Sequence, residues 1–227
     1  MKQNLLSKRK LKQKLKRQND NCRLSKKGND VIVAFDDGTF QNLDYRIVVD
    51  YGLWKGQEID EKKIELLSHE SSFLKARDSA FRFLGLRLHS TSELKLKLQK
   101  KKHPQEIIEK VLTYLAEKNY LNDEEFAKQF VSERIKRKKV GVGKLTAELI
   151  KKGIKRELIK ENLLDIDQEK YLENAVEIAQ KKLFQIRKKE VEERKISVKL
   201  YSFLAGKGYE SDLIIKVIEK LKLQQED

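Results

Sequence analysis

The stretch IKRKKVGVGK, residues 135–144, carries the chain's one Gly-x-Gly-Lys, and five of the six residues 134–139 are cations. Glycines ahead of a lysine can cradle phosphate on successive backbone N–H groups, which would make the chain a nucleotide-using enzyme. That chemistry also requires a glycine five positions before Gly143 and a hydroxyl after Lys144, where the chain has Lys138 and Leu145. It requires a preceding strand as well, whereas Phe126, Ala127, Phe130, Val131 and Ile135 recur at helical spacing across 123–139. The glycines therefore read as a bend between two helices. Asp123-Glu124-Glu125 resembles a pair of catalytic carboxylates, but at a helix start such a run offsets the helix dipole and caps free N–H groups. His69, His89 and His103 lack ligand spacing, and Cys22 is the single cysteine, so neither a metal site nor an intrachain disulfide is expected. No catalytic residue and no cofactor follow from these residues.

The elements that must position the cations are helical. The chain has 227 residues, 38% of them charged, and one proline. It has no apolar run long enough to span a membrane and no apolar signal core behind its basic N-terminus, so a cytoplasmic protein that does not enter membranes is expected. The net charge of +15 is uneven. Residues 1–27 carry 11 Lys/Arg against one Asp and read as a basic flexible tail that grips polyanions without specificity. Residues 28–70 carry 4 against 10 and form a small acidic α+β module. In it, VIVAF and TFQNL flank Asp36-Asp37-Gly38 as a β-hairpin, Asp44 caps a short helix ending at Tyr51-Gly52, and Asp60 caps another through Leu67. Trp54 is expected to plug that module's core.

From residue 70 the chain repeats. Leu94, Leu98, Ile107, Ile108, Leu112 and Leu115 recur 51 residues on as Leu145, Leu149, Leu158, Ile159, Leu163 and Ile166, and 55 further on as Leu200, Leu204, Leu213, Ile214, Ile218 and Leu221. The turn Lys152-Gly153-Ile154 recurs as Lys207-Gly208-Tyr209, with Lys101-Lys102-His103 in the first copy. Each copy predicts three helices: 72–88, 91–101 and 104–118; 123–139, 143–152 and 155–164; 168–187, 191–206 and 211–223. Ser90-x-x-Glu93 and Asn122-x-x-Glu125 are capping boxes. Gly141-Val142-Gly143 stands where the first copy has Ser90-Thr91-Ser92. The fold expected is mainly α: tandem three-helix repeats at 71–121, 122–167 and 168–227 in an elongated, monomeric array, behind the hairpin module.

The succession YGLWKGQEI, Arg87 before STSEL, KLQKK, IIEKVL, YLNDEEFA at 120–127, then GVGKL and the ELIKKGI that ends at Ile154 resembles the RecX family, bacterial regulators of the RecA recombinase. The resemblance covers residues 30–165 most strongly. It implies tandem three-helix modules that bind the RecA filament and both single- and double-stranded DNA, suppress the recombinase's ATPase and strand exchange, and have no catalysis of their own. A general basic DNA- or RNA-binding protein that does not act on RecA is the alternative. No family motif fixes the contact residues. Charge and exposure nominate Arg77, Arg82 and Arg87 in the first repeat, and Arg134, Lys136, Arg137, Lys138, Lys139 and Lys144 in the second. In the third they nominate Arg187, Lys188, Lys189, Arg194 and Lys195. About half of the second group is expected to touch phosphate, since a run of cations wraps a helix rather than lining one face.

Overall fold

The computed structural model describes residues 23–35, 38–190 and 192–223. Alternation fixes the sheet: Val31 and Val33 are buried on one face of β2 (Asp30–Ala34), while their neighbours stay partly exposed. This strand pairs antiparallel with β3 (Phe40–Asp44), Asp30 opposite Asp44 and Ala34 opposite Phe40. Phe35 N–H donates to Thr39 O and Gly38 N–H to Phe35 O, closing the expected hairpin; its turn residues Asp36 and Asp37 lie outside the described residues. The sheet has a third strand, β1 (Arg23–Lys27), antiparallel to β2 with Arg23 opposite Ala34. Sequence alone assigns these five residues to the basic tail, because RLSKK has no apolar alternation and only the open edge of β2 makes it a strand. Residues 1–22, with Cys22 and the rest of the tail, lie outside the described residues.

Asp44 caps α1 (Tyr45–Asp50) by accepting from Arg46 N–H, and Gly52 follows the helix at φ +56°. Asp60 caps the next helix by accepting from Lys63 N–H, as expected, but that helix does not stop at Leu67. It runs unbroken as α2 (Glu61–Leu84), 24 residues, in place of a short helix and a separate one at 72–88. The polar stretch Ser68-His69-Glu70-Ser71-Ser72 looks like a break, yet Ser71 is buried and its hydroxyl accepts Asp44 N–H at 2.8 Å. Arg46 ties the module to α2 as well, with Nε 2.8 Å from Asp44 Oδ1 and Nη2 2.5 Å from Asp78 Oδ2. This charge-assisted fork raises the guanidinium pKa and holds the Asp44 carboxyl below its ordinary value. The module core is Val33, Phe35, Leu43, Ile47, Leu53, Ile59 and Leu67. Trp54 is not in it: Leu53 fills the space and Trp54 stays 62% exposed, which corrects the expectation.

The second half of α2 is also the first helix of the first three-helix repeat, with α3 (Thr91–Lys100) and α4 (Gln105–Glu117). Phe73 meets Tyr114 edge-on at 5.8 Å. The described residues divide into two compact units, 23–87 with 95–118 and 88–94 with 119–223, so α3 begins in one and ends in the other. The second unit holds α5 (Asp123–Glu133), a π-helical turn (Arg134–Lys138), α6 (Val142–Lys151) and α7 (Arg156–Leu164). It continues with α8 (Gln168–Arg187), α9 (Glu193–Gly206) and α10 (Ser211–Leu223) over one continuous core.

The apolar columns read from sequence are that core: Leu145, Leu149, Ile159 and Ile166 are buried beside Leu200, Leu204, Ile214 and Leu221, with Leu158, Leu163, Leu213 and Ile218 packed against them. In the first repeat Leu94, Leu98, Ile107, Ile108, Leu112 and Leu115 are buried. Among the described residues no helix is long and apolar enough to cross a membrane.

Candidate nucleic-acid interface

The backbone donors of Gly-Val-Gly are where a phosphate would have to sit, and protein acceptors already occupy them. Gly141 N–H donates to Lys207 O at 2.9 Å, Val142 N–H to Tyr171 Oη at 2.8 Å and Gly143 N–H to Gly208 O at 3.0 Å. Tyr209 Oη donates to Lys139 O at 3.0 Å, and the two tyrosine rings lie 5.2 Å apart. Burial pushes both phenols up, Tyr171 to about 12, so they remain neutral hydrogen-bonding groups. A Cβ on Gly141 would lie 2.1 Å from the Gly208 carbonyl carbon, so only hydrogen fits between these backbones. The loop is a joint between repeats.

The same joint occurs one repeat earlier with other residues. Ser90 Oγ donates to Lys152 O at 2.6 Å, Thr91 N–H donates to Asp123 Oδ1 at 2.7 Å, and Lys152 Nζ reaches Glu93 Oε1 at 2.6 Å. In both, the bend between the first and second helices of one repeat seats on the Lys-Gly turn of the next. At the first expected capping box Glu93 N–H bonds Ser90 Oγ at 3.2 Å, and the Glu93 carboxylate also pairs with Lys152. At the second box Asn122 Oδ1 accepts from Glu124 and Glu125 N–H, while Glu125 takes Gln129.

The joint displays the cations. The π turn takes one residue more than an α turn and widens the end of α5, after which Lys139 adopts a left-handed conformation at φ +47°. Lys136, Arg137 and Lys138 are consecutive and exposed, as is Lys144 in the first turn of α6. Arg137, 74% exposed in its side chain, pairs with Glu133 at 3.3 Å, a contact that costs little to open. The remaining two of the six are structural. Arg134 Nε lies 2.8 Å from Glu148 Oε2, its guanidinium stacks 4.8 Å from the Phe130 ring centroid, and Lys139, 20% exposed, is held by Glu177.

Lys139, and Lys181 at 2.8 Å, hold the Glu177 carboxyl far below its usual range, at about 2. A depressed carboxylate pKa stabilises above the unfolded value and loses that contribution as pH falls through the folded one. The unaltered chain should therefore lose more stability than Glu177→Gln between pH 4.5 and 2, and thermal melts of the two at pH 6 and pH 3 measure it.

The other nominated cations are more committed. Arg77 is half-buried beside Asp78 at 3.9 Å, and Arg82 donates to Asp78 O at 3.3 Å and approaches Ser79 Oγ at 3.4 Å. Arg87 is exposed. In the third repeat Arg187 reaches Glu193 at 3.0 Å, Lys195 reaches Glu192 at 2.7 Å, and Lys188 lies 4.5 Å from the Phe184 ring centroid, while Lys189 and Arg194 are exposed and have no ion-pair partner among the described residues. Beside the ridge opens a cleft of about 610 Å³ lined from α5, the π turn, the α7–α8 turn and α8, with Lys128, Lys136, Lys170, Asp165, Glu173 and Asn174 among its walls. Apart from Lys136, sequence reading passes over these residues, because no single periodicity joins walls drawn from separate elements.

Comparison with known proteins follows the same three repeats. Family descriptions match at residues 76–115 (RecX, first three-helix domain), 122–163 (second) and 168–218 (third). The regulatory protein RecX of Clostridium botulinum (strain Alaska E43 / Type E3) is 32% identical over 84% of this chain and 89% of its own. That of Clostridium beijerinckii is 31% identical over 87% and 92%. Two solved structures share the fold. A crystal structure of regulatory protein RecX has TM-score 0.69 at 24% identity, covering 88% of this chain and 99% of its own. RecX from Lactobacillus salivarius has TM-score 0.61 at 23% identity, covering 67% and 97%. The chain belongs to the RecX family of regulatory proteins.

Proposed function

We propose that the chain restrains a RecA recombinase by lying along the RecA–DNA filament and suppressing its ATPase and strand exchange, with Lys136, Arg137, Lys138 and Lys144 reaching DNA. The observation that carries this reading is the ridge: three consecutive exposed cations on a bend whose backbone donors are spent on holding two repeats together. A phosphate-hydrolysing loop would need those donors free. Repetition supports a repeating partner, because several weak repeat contacts held at high effective concentration sum to a tight one. Co-sedimentation with RecA filaments on single-stranded DNA, against naked DNA and RNA at the same salt, tests the reading. Preferential recovery with filaments is expected, and equal recovery on all three supports a general polyanion binder instead.

The net charge of +15 favours that second reading as far as naked DNA goes. Binding by the ordered ridge should be insensitive to sequence, and four exposed cations give a log–log salt slope of about −3 on single strands. Fluorescence anisotropy across a salt series of a chain lacking residues 1–22, which leaves β1 in place, measures the slope without those residues' cations. A slope near zero, or strong sequence preference, removes phosphate contact as the mode.

A further inference from the structure

The cleft beside the ridge differs from it in charge. Its floor is apolar, formed by Val131, Ile135 and Ile166, and its walls carry three lysines, Lys128, Lys136 and Lys170, against three acids, Asp165, Asp167 and Glu173. Asp167 and Lys170 are spent on each other and on the cap of α8. Lys128, Lys136, Asp165, Glu173 and Asn174 have side chains without a hydrogen-bond or ion-pair partner among the described residues, unlike Arg134 and Lys139 a few residues away. Groups of both signs, left unpaired around an apolar floor, are what a binding cleft presents before its occupant arrives.

We infer that this cleft receives the protein component of the filament, as a peptide segment with one apolar side chain flanked by side chains of opposite charge. The inference rests on the function proposed above and assigns adjoining surfaces to the two partners, with Lys136 at their border. A nucleic-acid strand is the poorer occupant, because Asp165 and Glu173 would face its phosphates and like charges at close range select against a ligand. A peptide bearing both signs meets the two carboxylates with its cation, Lys128 and Lys136 with its anion, and Val131, Ile135 and Ile166 with its apolar side chain. The cleft's size is in the range of sites that enclose a small ligand or a few side chains. Lys136 lines the cleft and Arg137 and Lys138 do not, so protein and DNA contacts meet at one turn of helix.

The experiment uses the full chain assembled with RecA, single-stranded DNA and a non-hydrolysable ATP analogue. A photo-crosslinking benzoylphenylalanine replaces Asn174 in one sample and Lys138 in another. At position 174 the expected adduct joins the chain to a RecA subunit, and position 138 serves as the DNA-facing control. In parallel, the double variant Asp165→Lys/Glu173→Lys, checked for folding by circular dichroism, should need at least tenfold more protein for half-inhibition of RecA ATPase. Its naked-DNA affinity should be unchanged or tighter. A DNA adduct at 174, no protein adduct there, or a double variant that inhibits like the unaltered chain overturns the inference while leaving the proposed function standing. If the unaltered chain does not inhibit at all, the proposed function fails and the cleft assignment with it.

Discussion

Gly141→Ala should destabilise the second unit by about 3 kcal/mol, an effect of overpacking plus two weakened backbone hydrogen bonds. The added methyl would sit 2.1–2.2 Å from Gly208 C and O and Tyr209 N, all backbone atoms that no rotamer change can move aside. Relief requires the repeats to separate, which lengthens the bonds from Gly141 N–H to Lys207 O and from Gly143 N–H to Gly208 O. Gly208→Ala should be at least as damaging, since its φ is +88° and its new Cβ would lie 2.4 Å from Lys144 N. Gly206→Ala is the control. Nothing lies within 4 Å of its Cβ, and in a helix alanine is favoured over glycine by up to about 1 kcal/mol, so that variant should match or exceed the parent. Urea denaturation of the three variants compares them directly. Equal midpoints for Gly141→Ala and Gly206→Ala would mean that the joint does not hold the repeats.

The second large effect concerns the ridge. Lys136→Glu/Arg137→Glu/Lys138→Glu in a chain lacking residues 1–22 should weaken single-stranded DNA binding about a hundredfold at 0.1 M salt, because each lost phosphate contact removes roughly 0.7 of a decade there. Lys139 is left out of the variant on purpose. It is bound to Glu177, so a glutamate in its place would set two carboxylates together and disturb the fold rather than report on DNA. Lys139→Met should leave DNA affinity within about threefold, a separation that charge counting along the sequence would not predict. Anisotropy titrations of the two variants measure it.

Much of this architecture is legible because burial writes a periodicity. The six apolar columns occupy core or core-lining positions in every repeat, and α8 has the bounds its pattern predicts. What escapes the sequence depends on distant partners. Ser71 looks like part of a polar linker until Asp44, 27 residues away, supplies the N–H that lets a helix bury it. Lys139 looks like one more free cation until Glu177, 38 residues on, claims it. Leu53 and Trp54 compete for one space, and composition alone favours the larger ring, which the folded module leaves outside. Gly141 and Gly143 are legible as a bend, but their closeness to Gly208 follows from stacking two repeats and has no local signature. The cleft is the extreme case, since its walls come from elements far apart in the chain and no one spacing joins them.

The central claim, that the chain acts on the recombinase filament through an ordered array rather than as a loose polycation, meets its most direct test in ATP turnover. DNA-dependent hydrolysis by RecA is measured on single-stranded DNA at fixed salt while the chain is titrated in. The account predicts inhibition with far fewer regulator molecules than recombinase subunits, weakened more by reversing Lys136, Arg137 and Lys138 than by deleting residues 1–22. Turnover unchanged at equimolar protein, or a peptide of residues 1–22 that inhibits as well as the whole chain, would contradict it.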